Sequence, residues 1–344
     1  MDVSIIIVNY NTRQLIKDCI NSIYAQTKDI SFEVIVSDNG STDGSIEMLK
    51  QDFPQIILIE NNANLGFGAA NNKGLAIANG KYIFYLNSDT ILLNNAVKYF
   101  FDYWEHNGEK ENLGALGCNL VNKDGEYSHS YGTFLNLDEE LYNTFHQLYG
   151  IYKLSLKLLL FKQITYSPPK HSEKYIGNVD VVIGADLFLK NDENARYDER
   201  YFMYHEEQDL QFQLAKQGKI RRIIDEPRIV HLEGKSSEKF RDEIKSLSSF
   251  SNIHCTISMF KFFKKNMYPY FSVKILLLKI FNILLWLNPL LFKTNAKYIK
   301  NIIMADSRQQ TADSRQQTAD SRQQTADSRQ QTADSRQQTA DSRQ

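Results

Sequence analysis

Cysteine is nearly absent: the 344 residues hold three, Cys19, Cys118 and Cys255, with no paired spacing. That argues against a disulfide framework and against a zinc site. The start, Met1-Asp2-Val3-Ser4, has no basic stretch ahead of its apolar run, so no secretory leader is expected and a cytosolic, reducing compartment is. Acidic residues are missing altogether from 244–304, which carry nine lysines. Long apolar runs are missing too. Within 260–303 the longest charge-free stretch, 280–292, has 13 residues, is broken by Asn282, Asn288 and Pro289, and is too short to span a bilayer. The last 40 residues lack any apolar side chain larger than Ala: from Ala305 they repeat Ala-Asp-Ser-Arg-Gln-Gln-Thr five times and end in a partial copy, which cannot build a core.

What remains is ordinary globular sequence, 42% apolar and 24% charged overall. The net charge of −1 conceals an asymmetry. The tail carries six Asp and six Arg, so residues 1–243 hold 25 basic against 35 acidic residues, a net of −10. An acidic body with a basic, apolar arm does not suit nucleic acid. It suits a soluble catalytic unit that leans on an anionic membrane surface.

The body alternates strands and helices. Val3-Ser4-Ile5-Ile6-Ile7-Val8 reads as a buried strand, followed by a helix with Leu15, Ile16, Cys19, Ile20 and Ile23 on one face and Thr12 as N-cap. Further strands are expected at 32–37, 56–59 and 81–86, with helices to about Gln51 and over 67–78. Repeated β-α units with continuous apolar strands imply a mostly parallel sheet covered by helices on both faces. Ligands bind beyond the carboxyl ends of such strands, and those ends are rich in Asn and Asp: Asn9 and Asn11; Asp38, Asn39 and Asp43; Asn61, Asn62 and Asn64; Asn87, Ser88 and Asp89. Asn and Asp also end strands and cap helices, and for Asp43, beside Gly44, the cap is the favoured role.

Val3-to-Thr12 (VSIIIVNYNT), Val34-to-Ser45 (VIVSDNGSTDGS), Asn64-to-Leu75 (NLGFGAANNKGL) and Tyr82-to-Thr90 (YIFYLNSDT) resemble the N-terminal blocks of family 2 glycosyltransferases. Asp198-to-Leu210 (DERYFMYHEEQDL) and Ile229-Val230-His231 resemble that family's acceptor-side and closing motifs. Within the family, the sequence is similar to bacterial enzymes of surface-polysaccharide and lipopolysaccharide assembly, including rhamnosyltransferases. The resemblance implies an α/β, GT-A nucleotide-diphospho-sugar transferase fold, inversion at the anomeric carbon, and a hexosyl- or deoxyhexosyltransferase. It implies a catalytic domain at 1–240 (nucleotide half to about 118, acceptor half after it); composition sets apart a basic, apolar helical membrane-associating arm at 241–304 and a disordered repeat tail at 305–344.

The same resemblance implies the site. Asn9, Asn11, Asp38, Asn39, Asn64, Gly66, Asn71, Asn87 and Ser88 are expected around the nucleotide sugar, with Asp38 accepting from N3–H of uracil or thymine in a UDP- or dTDP-linked donor. The family's Asp-x-Asp stands here as Asn87-Ser88-Asp89, so Asp89 is the expected ligand of Mg²⁺ or Mn²⁺. His231 matches a position that adds an imidazole ligand, and a structural role stays open for it. In the family's Glu-Asp-x-Asp, the second acid is the general base, which aligns with Glu207. Glu206 and Asp209 share a helix face and are expected to position the acceptor or brace the loop. Gly184 lies in a small-residue stretch, either for close approach of substrate or as a bulge.

Residues 154–161, Leu-rich and flanked by Lys153 and Lys162, are expected as an acceptor lid or a membrane-facing helix. The arm at 260–303 alternates apolar clusters with lysine and reads as interfacial, with a core-packing helix as the alternative. The expected partners are therefore a nucleotide-sugar donor, a lipid-linked or lipopolysaccharide glycan acceptor and the inner face of the cytoplasmic membrane, with no nucleic acid. The tail heptapeptide is what a seven-nucleotide unit, GCAGACA, encodes when read through three successive frames, so the tract is expected to be a phase-variation device without a catalytic role. Two rivals remain. A nucleotidyltransferase would need a Gly-rich, basic loop after the first strand, and Asn9-Tyr10-Asn11-Thr12 is not one. A catalytically silent sugar-nucleotide-binding homologue or scaffold is kept open by Asn87 and Glu207, where the family has carboxylates of other lengths or kinds.

Overall fold

The structure is a computed structural model that describes residues 1–158, 173–232, 250–267 and 272–286. The repeat tail, the arm beyond 286 and the last three residues of the 154–161 segment lie outside the described residues. A compact unit spans Met1–Asn282; of a second, Ile283–Gln344, only the last turn of one helix is described.

The first half is built from β1 (Val3–Asn9), α1 (Arg13–Gln26), β2 (Phe32–Asp38), α2 (Ser45–Asp52), β3 (Ile57–Glu60), α3 (Phe67–Leu75), β4 (Tyr82–Asn87), β5 (Thr90–Leu92), α4 (Ala96–Asn107) and β6 (Leu113–Cys118). The second half follows with β7 (Tyr131–Gly132), α5 (Leu137–Leu158), β8 (Gly177–Val179), β9 (Val181–Val182), β10 (Asp186–Lys190), α6 (Glu206–Lys216), β11 (Ile220–Ile224), β12 (Ile229–His231), α7 (Phe250–Met267) and α8 (Ser272–Trp286). An eight-stranded sheet runs in the order β3-β2-β1-β4-β10-β6-β11-β8. β3, β2, β1 and β4 are mutually parallel, β11 is parallel to β6, and β10 and β8 run antiparallel to their neighbours. This mostly parallel sheet between helices is the α/β architecture that the alternating strands and helices of the sequence implied.

The β-branched runs go where continuous apolar strands must: Val3, Ile5, Ile6, Ile7, Val34, Ile35 and Val36 are all buried in one core. Phe84, Phe100 and Phe188 extend that core across β4, α4 and β10, with the Phe100 and Phe188 rings stacked at 5.4 Å. α3 stops at Leu75, short of the expected 78, because Ile77 and Ala78 turn onto the carbonyls of Gly74 and Leu75 in i−3 bonds that tighten the end. Thr12 does stand at the N-cap of α1, yet its side chain makes no cap bond. Asp43 supplies one instead: Oδ2 accepts from Arg13 N (2.9 Å) while Oδ1 accepts from Ser45 N (3.1 Å), so one carboxylate serves the starts of two helices.

α7 and α8 pack on the body. Met259, Phe262 and Phe263 of α7 and Ile275 and Leu278 of α8 close a second apolar cluster with Leu137 and Tyr201, against which Phe212 also packs. No helix among the described residues is long and apolar enough to cross a membrane.

Candidate active site

The loops after β1, β2 and β3 form one hydrogen-bonded assembly. Asp38 is wholly buried: Oδ2 accepts from Asn9 Nδ2 (2.6 Å), and Oδ1 accepts from the backbone N–H groups of Gly40 (3.0 Å) and Ser41 (2.8 Å). Asn9 Oδ1 lies 2.6 Å from Thr12 Oγ1, which is 3.1 Å from Ser88 Oγ. Asn39 donates to Asn64 Oδ1 (3.3 Å) and Gly66 O (3.1 Å) and accepts from Asn61 (3.1 Å). Asn11, in the left-handed region at φ 55°, accepts from Thr42 N at 2.7 Å. The polar strand ends read from the sequence are thus brought together, and most of their side chains are spent on fixing one another.

Gly66 connects this half to the loop at Phe202. At φ 91° a side chain there would be strained, and a Cβ would fall 2.3 Å from Phe202 O. The closeness lets Phe67 N donate to Phe202 O at 2.9 Å. Asn71 is buried and, among the described residues, its side chain donates within its own helix, to Phe67 O (3.2 Å). Its neighbour Asn72, which the sequence reading passed over, binds across: Nδ2 donates to Tyr197 O (2.8 Å) and Glu199 Oε1 (3.0 Å), and Oδ1 accepts from Tyr197 N (2.9 Å). Adjacent asparagines differ only in helix face, and one sequence does not say which face meets the 197–202 loop.

β12 pairs antiparallel with β5, setting His231 opposite Thr90. His231 N donates to Val121 O (2.8 Å) and Leu232 N to Asp89 O (2.9 Å), so the backbone fixes both residues. Their side chains meet with Nε2 3.3 Å from Asp89 Oδ1, each about one-tenth exposed. Adjacent ligands of an octahedral cation at about 2.1 Å stand about 3 Å apart, so the pair fits two positions around such an ion. Among the described residues no cluster of three or more His, Cys, Asp and Glu could hold a metal, so further ligands would come from substrate oxygens and water. Beneath lies Asp186, wholly buried, with Oδ2 accepting from Cys118 N (2.7 Å). Burial pushes its carboxyl up to about 7.

α6 begins at Glu206 after two consecutive residues in the left-handed region, Tyr204 (φ 66°) and His205 (φ 64°). Gln211, one turn on, locks the helix to β9: Oε1 accepts from Val182 N (2.8 Å) and Nε2 donates to Val182 O (2.7 Å). Two residues beyond β9, a Cβ on Gly184 would lie 3.7 Å from Glu207 Cγ and 3.7 Å from the Phe67 ring. Asn87 N donates to Ala185 O (3.0 Å), so the end of β4 abuts the same turn. Glu206 turns inward instead, its Cβ 3.7 Å from the Cβ position of Gly68. It is buried, and its Oε2 has no hydrogen-bond partner among the described residues. Burial, then the charge of Glu207, raises Glu206 well above the ordinary carboxylate range; burial also raises Glu207. A buried acid with an orphaned oxygen stays protonated, so of the two Glu207 carries the charge.

Asp209 faces α7. It accepts from Lys265 Nζ (2.5 Å), Asn266 Nδ2 (2.9 Å) and Tyr201 OH (3.3 Å). Lys265 also reaches Asp198 (2.8 Å), where hydrogen bonds from Arg200 and Lys265 outweigh the cost of burial and hold the carboxyl far below its usual range. Ser258 Oγ donates to Met203 O (2.8 Å), and Cys255 Sγ stands 3.3 Å from His205 Nε2. α7 therefore grips the 198–209 loop along its length. The lysine-rich run that composition assigns to a membrane supplies part of this grip.

The profile of Glycosyl transferase family 2 matches residues 4–152. Over 121 residues the chain is 33% identical to a poly(ribitol-phosphate) beta-glucosyltransferase of Bacillus spizizenii, covering 34% of this chain and 19% of that protein. It is 31% identical over 154 residues to an abequosyltransferase of Salmonella typhimurium (41% and 44% covered). It is 36% identical over 120 residues to the UDP-Glc:alpha-D-GlcNAc-diphosphoundecaprenol beta-1,3-glucosyltransferase WfaP of Escherichia coli (32% and 47% covered). The chain thus spans less than half the length of each of these relatives. Among solved structures, TarS residues 1–349 of S. aureus align at TM-score 0.45 and 14% identity, covering 91% of this chain and 92% of that one. The mannosyltransferase PcManGT of Pyrobaculum calidifontis, solved with GDP-Man and Mn²⁺, aligns at 0.49 and 16%, covering 91% and 79%. Over residues 4–152, less than half of its length, the chain is thus similar to Glycosyl transferase family 2.

Proposed function

We propose that this chain moves a sugar from a nucleotide-sugar donor to a hydroxyl of a surface-glycan acceptor, with inversion at the anomeric carbon. One observation carries the reading: the Asn87 N–H to Ala185 O bond sets the β4 end, with Asp89 two residues on, against the turn whose Gly184 faces Glu207. The proposed base and the proposed cation-binding end are then brought to one turn. Asp89 and His231 are the residues that would hold Mg²⁺ or Mn²⁺, which as a Lewis acid neutralises the departing diphosphate when bound. Glu207 accepts the proton of the acceptor hydroxyl as that oxygen attacks the anomeric carbon from the face opposite the diphosphate. Gly184 leaves room beside Glu207, and Phe67 supplies an apolar wall that keeps water from the carboxylate. Asp209, tied to α7, braces the loop.

The donor is read as UDP- or dTDP-linked, possessing an N3–H that Asp38 accepts. Guanine offers N1–H to a carboxylate equally well, so a GDP-sugar is the competing arm of the test. Asp38 is wholly buried and Asn9 Nδ2 holds its Oδ2, so this contact would require the Asn9 bond to open. A hexosyl or deoxyhexosyl group is the proposed cargo. A lipid-linked acceptor at the inner face of the cytoplasmic membrane is proposed from the diphosphoundecaprenol substrate in the name of the Escherichia coli relative. The test is ligand-observed NMR with UDP-, dTDP- and GDP-sugars, with and without Mn²⁺, on the wild type and Asp89→Ala. Mn²⁺-dependent binding of one donor, lost in Asp89→Ala, is expected. A folded protein that binds none of them is a silent homologue, and the proposal fails.

A further inference from the structure

α8 is apolar nearly all round, and only one side of it packs. Ile275 and Leu278 face the body, and Leu278 is wholly buried there. On the opposite side Val273, Leu276, Leu277 and Ile280 form a single stripe at i, i+3, i+4 and i+7, exposed by 69, 57, 41 and 41%. The stripe continues onto α5. The Phe145 ring lies 6.0 Å from Phe281, and Tyr142 and Phe145, one helical turn apart, are 63 and 53% exposed. Apolar surface of this extent, contiguous over two helices, is unusual for a surface facing water.

We infer that this α5–α8 face is where the protein lies on an anionic bilayer, with the stripe immersed at the headgroup–acyl boundary. Two further observations select lipid over a protein partner. Lys274 and Lys279 fall on the two flanks of the stripe, the arrangement in which stems lie along apolar surface and ammonium groups reach the phosphates. Lys279 lies over the Phe260 ring at 5.8 Å, and Lys274 pairs with Asp138 of α5, so lipid phosphate would compete with that carboxylate for the Lys274 ammonium. In sequence, residues 244–304 carry nine lysines and no acid, against a net of −10 over residues 1–243; Lys245, Lys293, Lys297 and Lys300 lie outside the described residues. The net charge of the body would repel the same leaflet, so the arm's charge orients the molecule as well as attracting it. The surface is narrower than composition suggests. Phe262 and Phe263 of α7, in the most lysine-rich cluster, are wholly buried in the body and do not reach lipid.

The inference gives the proposed lipid-linked acceptor its location but has its own readout. The full chain is floated with vesicles of phosphatidylcholine alone and of phosphatidylcholine mixed with phosphatidylglycerol, at low and high salt. Binding to the mixed vesicles, weakened by salt, is expected. Leu276→Glu with Ile280→Glu should lower the bound fraction by about tenfold or more while leaving the melting temperature and Mn²⁺-dependent donor binding unchanged. Undiminished binding by that variant, or no binding of the wild type to either vesicle, overturns the inference. So does a wild-type dimer that the same two substitutions dissociate, because the stripe would then be covered by a second copy. Donor binding in the same samples is scored separately, so loss of the membrane site and loss of the proposed reaction give different results.

Discussion

Glu206 and Glu207 are neighbours in sequence, and their surroundings give them opposite roles. Glu206 is sealed under α3 with an oxygen that has no partner among the described residues and stays neutral, whereas Glu207 lies beside Gly184. Glu207→Gln is therefore expected to lower turnover by about 10²- to 10⁴-fold, the usual contribution of a general base. Glu206→Gln, which keeps the size and the neutrality of the buried acid, should stay within a few-fold. Steady-state rates for the two variants check this, and the reverse order would move the base to Glu206. Because burial raises the Glu207 pKa, the acid limb of the wild-type rate profile should lie above 4.5, the ordinary glutamate value, with activity rising as pH rises through it. The sequence spacing Glu-Glu-Gln-Asp drew attention to all three acids. What it lacked was depth: Glu206, Glu207 and Asp209 are separated by which neighbour each meets, and those neighbours are distant in sequence, Gly68 from Glu206 and Asn266 from Asp209.

α7 holds α6 and the loop before it through His205, and that contact gives the element a pH dependence. Burial pushes His205 down to about 4 from 6.5, so the imidazole is neutral in the fold. A group whose folded pKa is depressed costs stability as it is forced to charge: its contribution is intact above pH 6.5 and is lost as pH falls towards 4. The loss is at most about 3 kcal/mol. His205→Asn tolerates the left-handed backbone and does not titrate, so its melting temperature should fall less than that of the wild type between pH 6.5 and 4. Parallel curves in differential scanning calorimetry would show that His205 does not contribute. β1, β2 and β4 were legible because each closes on its own signals, a β-branched or aromatic run ended by Asn or Asp, whereas β5, α4 and β6 were passed over. β10 was not. Its five residues, Asp186–Lys190, enter the sheet antiparallel between β4 and β6, a pairing that depends on partners about 70 to 100 residues earlier. β8 and β9 are two to three residues each, too short for any periodicity.

At the scale of the whole molecule, α7 and α8 are part of the body that carries the site. Phe262, Phe263 and Leu278 are wholly buried, and each such side chain contributes roughly 1.5–3 kcal/mol, so together they rival the stability of an ordinary domain. A chain ending at residue 240 should therefore fail to melt cooperatively in calorimetry, while one ending at 304 should melt as the full chain does. A sharp, unshifted transition for the shorter chain would make the arm an appendage. The comparison with 304 isolates the tail, for which the expectation is genetic. The heptapeptide Ala-Asp-Ser-Arg-Gln-Gln-Thr has the length at which a repeated seven-nucleotide unit returns to its starting frame, and GCAGACA supplies those seven codons in order. Gain or loss of one unit shifts the frame of whatever follows, yet inside the tract every frame spells the same peptide, so catalysis is indifferent to copy number. Sequencing this locus from many single colonies of one culture should reveal different numbers of units, and proteins with three or six copies should turn over donor at the same rate. A tract of one fixed length, or codons that do not descend from a seven-base unit, would leave the repeat as a polar linker selected for its amino acids.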